Sequence, residues 1–95
     1  MENSFYFLWD YNLSNKEFLD ILEGRLEKGR LDQDWAITRL LEYGKYDDII
    51  RLLGYKEIIV HWPRLRERVR SEGRKRGFDF LVEWLPKNHP ELLAA

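Results

Sequence analysis

The chain has 95 residues, 44% of them hydrophobic and 15% aromatic, with a formal net charge of −1 and no cysteine. That length predicts one domain over residues 1–95 and leaves little room for a second. The absence of cysteine excludes disulfides, thiolate metal sites and a cysteine nucleophile. No run approaches the roughly 18 apolar residues needed to cross a bilayer, and Glu2 and Asn3 ahead of Phe5 do not read as a secretory signal, so a cytoplasmic protein with no membrane role is expected.

Taken from the N-terminus, Phe5-Tyr6-Phe7-Leu8-Trp9 is rich in strand-favouring aromatics without a helical period, which predicts an extended segment over 1–12. Both sides of such a segment are apolar. One side would lie on the domain and the other, carrying Phe5, Phe7 and Trp9, would present itself to a partner or to a second copy of the chain.

A first helix is announced by Ser14, with Glu17 three residues on completing a capping box. Phe18, Ile21 and Leu22 follow at helical spacing with Leu26 as a further candidate, and Gly24 inside this pattern leaves two outcomes, an end near Glu23 with a loose resumption or a full stop. Residues 24–31 read as a polar connection. Asp32 or Gln33 then caps a second helix, with Trp35 or Ala36, Ile37, Leu40 and Leu41 as its apolar set, Tyr43 near its end and Gly44 as its stop.

Tyr46, Ile49, Ile50 and Leu53 match the i, i+3, i+4, i+7 template, Gly54 closes that helix, and Tyr55, Ile58, Ile59 and Trp62 repeat the pattern. Pro63 should push residue 62 out of helical geometry. A two-turn basic helix starting after Pro63, a turn bracketed by Gly73 and Gly77, and a final helix from Phe78 to Leu85 stopped by Pro86 complete the expectation. The tail over 86–95 should be loose. The fold class is therefore all-α, a compact array of five or six short helices with an extended aromatic N-terminal segment.

Charge is unevenly placed. Residues 1–62 hold 12 acids and 8 bases, whereas 63–95 hold 5 acids and 8 bases. Within 64–76, Arg64, Arg66, Arg68, Arg70, Arg74, Lys75 and Arg76 face only Glu67 and Glu72. Spacing of four between Arg68 and Glu72, and between Glu72 and Arg76, predicts some internal pairing. The remainder can match an acidic protein surface or neutralise phosphates, the preponderance of arginine favouring directed contacts.

Catalytic candidates are few. His61 and His89 have no second histidine or carboxylate at i+3 or i+4 to complete a helical metal pair, so a structural role is favoured for His61. Asp47 and Asp48 stand at a helix start, where they serve the exposed N–H groups, and the spacing fits no calcium loop. No phosphate-cradling glycine loop or nucleophile elbow is present. The expectation is a non-enzyme without cofactor or metal, acting through Phe5, Phe7, Trp9 and the arginine-rich stretch on a protein partner, with nucleic-acid binding by 64–76 as the alternative.

Four runs carry a resemblance: Leu8-Trp9-Asp10, Arg39 to Gly44, Tyr46 to Gly54, and the basic stretch leading into Phe78 to Trp84. Together they resemble the small prokaryotic helical proteins often encoded beside nucleotidyltransferase-type toxins and presumed to act as antitoxins. The chain departs from that pattern by a longer insertion around residues 23–31. The resemblance implies a regulatory subunit that binds and restrains a nucleotidyltransferase-type enzyme.

Overall fold

A computed structural model describes residues 5–94. Among them are five α-helices: α1 (Asn15–Leu22), α2 (Gln33–Tyr43), α3 (Tyr46–Leu52), α4 (Tyr55–Leu65) and α5 (Glu72–Asn88). Short 3-10 turns occupy Tyr6–Leu8, Arg66–Arg68 and Pro90–Leu93. The all-α class is as expected, and none of the described helices is long and apolar enough to cross a membrane. The chain divides into two compact units, the first ending at Gly44 and the second beginning at Lys45.

In the first unit the described part of the aromatic opening, Phe5 onward, is not extended. Phe7 and Leu8 are both buried, at 1% and 2% exposure. A strand sends successive side chains to opposite faces, so it cannot place two neighbours in one core. The 3-10 turn can. Leu8 N–H donates to the Phe5 carbonyl and Tyr11 N–H to the Leu8 carbonyl at 3.0 Å each, while Phe5 N–H donates to Asn15 Oδ1 at 2.8 Å. Phe7 then packs its ring 5.1 Å from that of Phe18 on α1.

The capping box of α1 is complete: Ser14 Oγ accepts from Glu17 N–H and Glu17 Oε1 accepts from Ser14 N–H, both at 3.0 Å. Because its carboxylate accepts the Ser14 backbone N–H and then an ammonium hydrogen of Lys28, Glu17 is held at about 2, well below its ordinary 4.5. Gly24, at φ +79°, turns the chain out of α1, and Gln33 Nε2 reaches back to the Leu22 carbonyl at 3.1 Å. Lys28 and Leu31 exchange backbone hydrogen bonds of 3.1 and 2.9 Å around Gly29-Arg30, with Gly29 at φ +61° supplying the positive φ such a two-residue turn requires. Asp32 caps α2 by accepting from Trp35 N–H at 2.9 Å, and Ile37, Leu40 and Leu41 are buried as expected, with Ala36 rather than the half-buried Trp35 completing the set.

In the second unit α3 and α4 are joined at Gly54, whose φ of +91° is open to glycine at little cost. Several features of this unit differ from the expectation. First, α4 continues through Pro63 to Leu65. Proline removes one N–H donor and crowds the preceding turn, but its fixed φ is helical, and burial of Trp62 and Leu65 on either side of it offsets the loss. Second, the predicted basic helix after Pro63 is a 3-10 turn ending at Arg68, because Val69 turns extended and buries its side chain. Third, Gly73 and Gly77 form no turn. Ser71 caps α5 by accepting from Arg74 N–H at 3.3 Å, and the helix runs over both glycines, each costing about 1 kcal/mol relative to alanine.

Pro86 does not stop α5 either. Asn88 Nδ2 donates to the Trp84 carbonyl at 2.9 Å and His89 N–H to the Leu85 carbonyl at 2.8 Å, which closes the last turn. The expected loose tail is likewise ordered up to Ala94, since the 3-10 turn at Pro90–Leu93 contacts α4 and α5. The unit's core is Ile49, Ile58, Trp62, Leu65, Val69, Phe78 and Leu85. Leu53, expected beside Ile49, is only half-buried.

Candidate functional site

The site of most chemical interest in the first unit is built around a residue on α2. Arg39 lies one turn beyond Ala36 and one before Tyr43, so the helix that buries Leu40 also carries the guanidinium inward to 9% exposure. Its Nε donates to the Phe7 carbonyl at 2.7 Å, and Nη2 pairs with the Asp10 carboxylate. Three aromatic rings collar the cation: its central carbon stands 4.4 Å from the Trp9 centroid, 4.5 Å from Tyr43 and 5.0 Å from Tyr11. Trp9 and Tyr43 meet edge-to-face at 4.9 Å, as do Tyr11 and Trp35.

The collar is apolar and outward-facing. Trp9 is 64% exposed, with Tyr43 and Tyr11 also exposed beside it. An indole over a guanidinium gains cation–π attraction of about 0.5–2 kcal/mol, depending on desolvation. Trp9 is therefore presented to solvent while held in place from below.

Of the residues expected to meet a partner here, Trp9 is at the surface, Phe5 is half-buried and Phe7 is in the core. Phe7 is corrected accordingly: its ring belongs to the packing around Phe18, and its carbonyl serves Arg39. Sequence reasoning missed Arg39, Asp10, Tyr11 and Tyr43 as a set. A faint signal existed, since an arginine amid Ile37, Leu40 and Leu41 sits close to the buried face of its helix.

The arginine-rich stretch lies in the second unit, and much of it is engaged. Arg66 grips Asp79 with Nε to Oδ1 at 2.9 Å and Nη2 to Oδ2 at 2.9 Å, while Trp62 Nε1 donates to the same Oδ1 at 2.8 Å. The Arg66 hydrogen bonds, joined by that of Trp62, hold the Asp79 carboxyl below its usual range, and Asp79 in turn raises Arg66. Arg66 also reaches Glu67 at 2.7 Å, and Lys75 lies 4.0 Å from Glu67 and 3.7 Å from Glu72.

The pairings expected of Glu72 with Arg68 and Arg76 do not form. Val69 to Ser71 interrupt the helix between Arg68 and Glu72, and Glu72 turns to Lys75 instead. Arg64, Arg70 and Arg74 have interactions of their own, whereas Arg68 and Arg76 make no ion pair among the described residues.

His61 does have a carboxylate partner, four residues before it. Its Nε2 lies 3.0 Å from Glu57, and its Nδ1 lies 2.6 Å from Arg64 Nη2. A guanidinium only donates, so Nδ1 accepts and Nε2–H is directed to Glu57. Both ring nitrogens are occupied in surface pairing along α4. No cluster of three or more His, Cys, Asp or Glu suited to a metal occurs among the described residues.

These features define a helical protein with an exposed aromatic collar in one unit and a partly paired basic surface in the other. No protein family, curated protein sequence or solved structure matches the chain.

Proposed function

We propose that this chain is a non-catalytic protein-interaction module that binds through Trp9 and the flanking Tyr11 and Tyr43. The observation carrying this reading is an indole left 64% exposed while fixed on a buried guanidinium. Large aromatics dominate binding energetics when they enter a partner's pocket, and a ring already held in place loses little freedom on doing so. The resemblance noted above supplies the partner class, a nucleotidyltransferase-type enzyme restrained by occlusion. Arg68 adds a secondary contact for acidic groups.

The alternative, nucleic-acid binding by residues 64–76, draws less support, because Arg66 and Lys75 are committed to Asp79, Glu67 and Glu72. The test is calorimetric titration of a nucleotidyltransferase-type enzyme encoded beside this chain with wild type and Trp9→Ala. A loss of about 2 kcal/mol or more, with helical content unchanged, is expected. Equal affinity of the two proteins would sink the reading. Binding of RNA or DNA with a steep salt dependence, and of no enzyme, would move the contact to the basic stretch.

A further inference from the structure

A second surface, on α5, has a self-complementary pattern that the Trp9 collar does not use. Helical spacing brings Gly73, Arg76, Gly77, Phe80, Glu83 and Trp84 onto one side of the helix. Phe80 is 62% exposed and Trp84 37%, their rings stacked at 5.9 Å beside a shallow groove of about 260 Å³ that Glu83 and Lys87 also line. The N-terminal half of the same face is small and cationic. A Cβ at Gly77 would meet nothing within 4 Å and one at Gly73 only Ser71 Oγ at 3.9 Å, so packing within the chain does not require either glycine.

We propose that α5 pairs antiparallel with α5 of a second copy of this chain about a two-fold axis passing by Phe80. In that arrangement positions equally far before and after Phe80 face each other. Arg76 and Gly77, four and three residues before it, oppose Trp84 and Glu83, four and three residues after it. Every such contact is made twice, as a two-fold interface demands.

Size and charge both match in this register. The aromatic half of one helix lies over the glycine half of the other, where missing side chains let the two backbones approach. Arg76, without an ion pair among the described residues, reaches the partner's Glu83 and the face of the partner's Trp84. Glu83 is free to accept it, because its own contact is a 3.7 Å pair with Lys87 in which both side chains are about three-quarters exposed. A parallel pairing would instead set arginine against arginine and aromatic against aromatic. The near-zero net charge of −1 places no long-range repulsion between copies. One helix face is smaller than the roughly 800 Å² per partner of a tight complex, so a dissociation constant on the order of 10 µM is expected.

Sedimentation equilibrium of the full chain from about 1 µM to about 1 mM tests this. A reversible monomer–dimer equilibrium is expected, abolished by Phe80→Glu. Arg76→Glu and Glu83→Arg should each weaken the dimer about tenfold, and the double exchange should recover most of the loss. Gly77→Ala should raise the melting temperature of the monomer yet weaken the dimer, which separates close approach from folding. A monomer at every concentration, a dimer indifferent to Phe80→Glu, or charge reversals that fail to rescue one another would each overturn the pairing.

Discussion

The two units use the same three residue types in inverted order. In the first, Arg39 is buried, Asp10 is at the rim and Trp9 is exposed on top. In the second, Trp62 is buried at 1% exposure, Asp79 takes its indole N–H, and Arg66 closes over the carboxylate from outside. A buried guanidinium has five donors to satisfy and holds the surrounding chain to its geometry. A buried indole has one, and contributes through area. Both units rest on apolar cores; around Arg39 polar bonds fix an aromatic surface above that core, whereas around Trp62 the aromatic ring is packed inside and the charge is left outside.

That contrast can be broken most forcefully at Trp62. Trp62→Ala removes the largest fully buried side chain and its contact with Phe78, and should cost about 3–5 kcal/mol. Chemical denaturation and hydrogen exchange read it, with protection expected to fall throughout α4 and α5. A loss below about 1 kcal/mol would mean the second unit does not rest on this ring.

Arg39→Met comes next. It keeps much of the side-chain volume but leaves the Phe7 carbonyl and Asp10 without their donor, for an expected loss of about 2–3 kcal/mol. Arg39→Lys should recover only part of it, because an ammonium cannot reproduce the fork. Full recovery by lysine in thermal denaturation would assign the role to charge alone.

The smallest effects are those of exposed carboxylates, one in each unit. Glu17 is depressed to about 2 and Asp79 is lowered as well, so both are charged in the folded state where the unfolded chain would already be protonated. Their stabilisation is complete above the unfolded pKa of each and is lost as pH falls through the folded one, for Glu17 between 4.5 and about 2. Glu17→Gln and Asp79→Asn should each flatten the acid limb of the melting temperature against pH and leave Trp62 buried. An unchanged acid limb in both variants would place the acid sensitivity elsewhere.

Features set by neighbours in sequence were legible beforehand. The Ser14–Glu17 box, the Asp32 cap, the stops at Gly44 and Gly54, and most of the buried faces of α1 and α2 each depend on residues within a turn or two. Features set at a distance were not. Pro63 reads as a helix end until Asp79, 17 residues beyond Trp62, is seen to hold that ring in the core. Gly73 and Gly77 read as a turn because their local cost is visible and the packing of Phe78 and Leu85 that outweighs it is not. Arg39 was hidden for the same reason, since its partners Phe7 and Asp10 lie 32 and 29 residues away.

The two-residue turn at Gly29-Arg30 also bears on how the length of this chain can vary. It is exposed, a side chain at Gly29 would touch nothing, and the bonds closing it lie between Lys28 and Leu31. Lengthening a surface loop costs only about 0.6 kcal/mol per doubling, because closure entropy grows with the logarithm of its length. A longer connection at that point therefore leaves α1 and α2 in register.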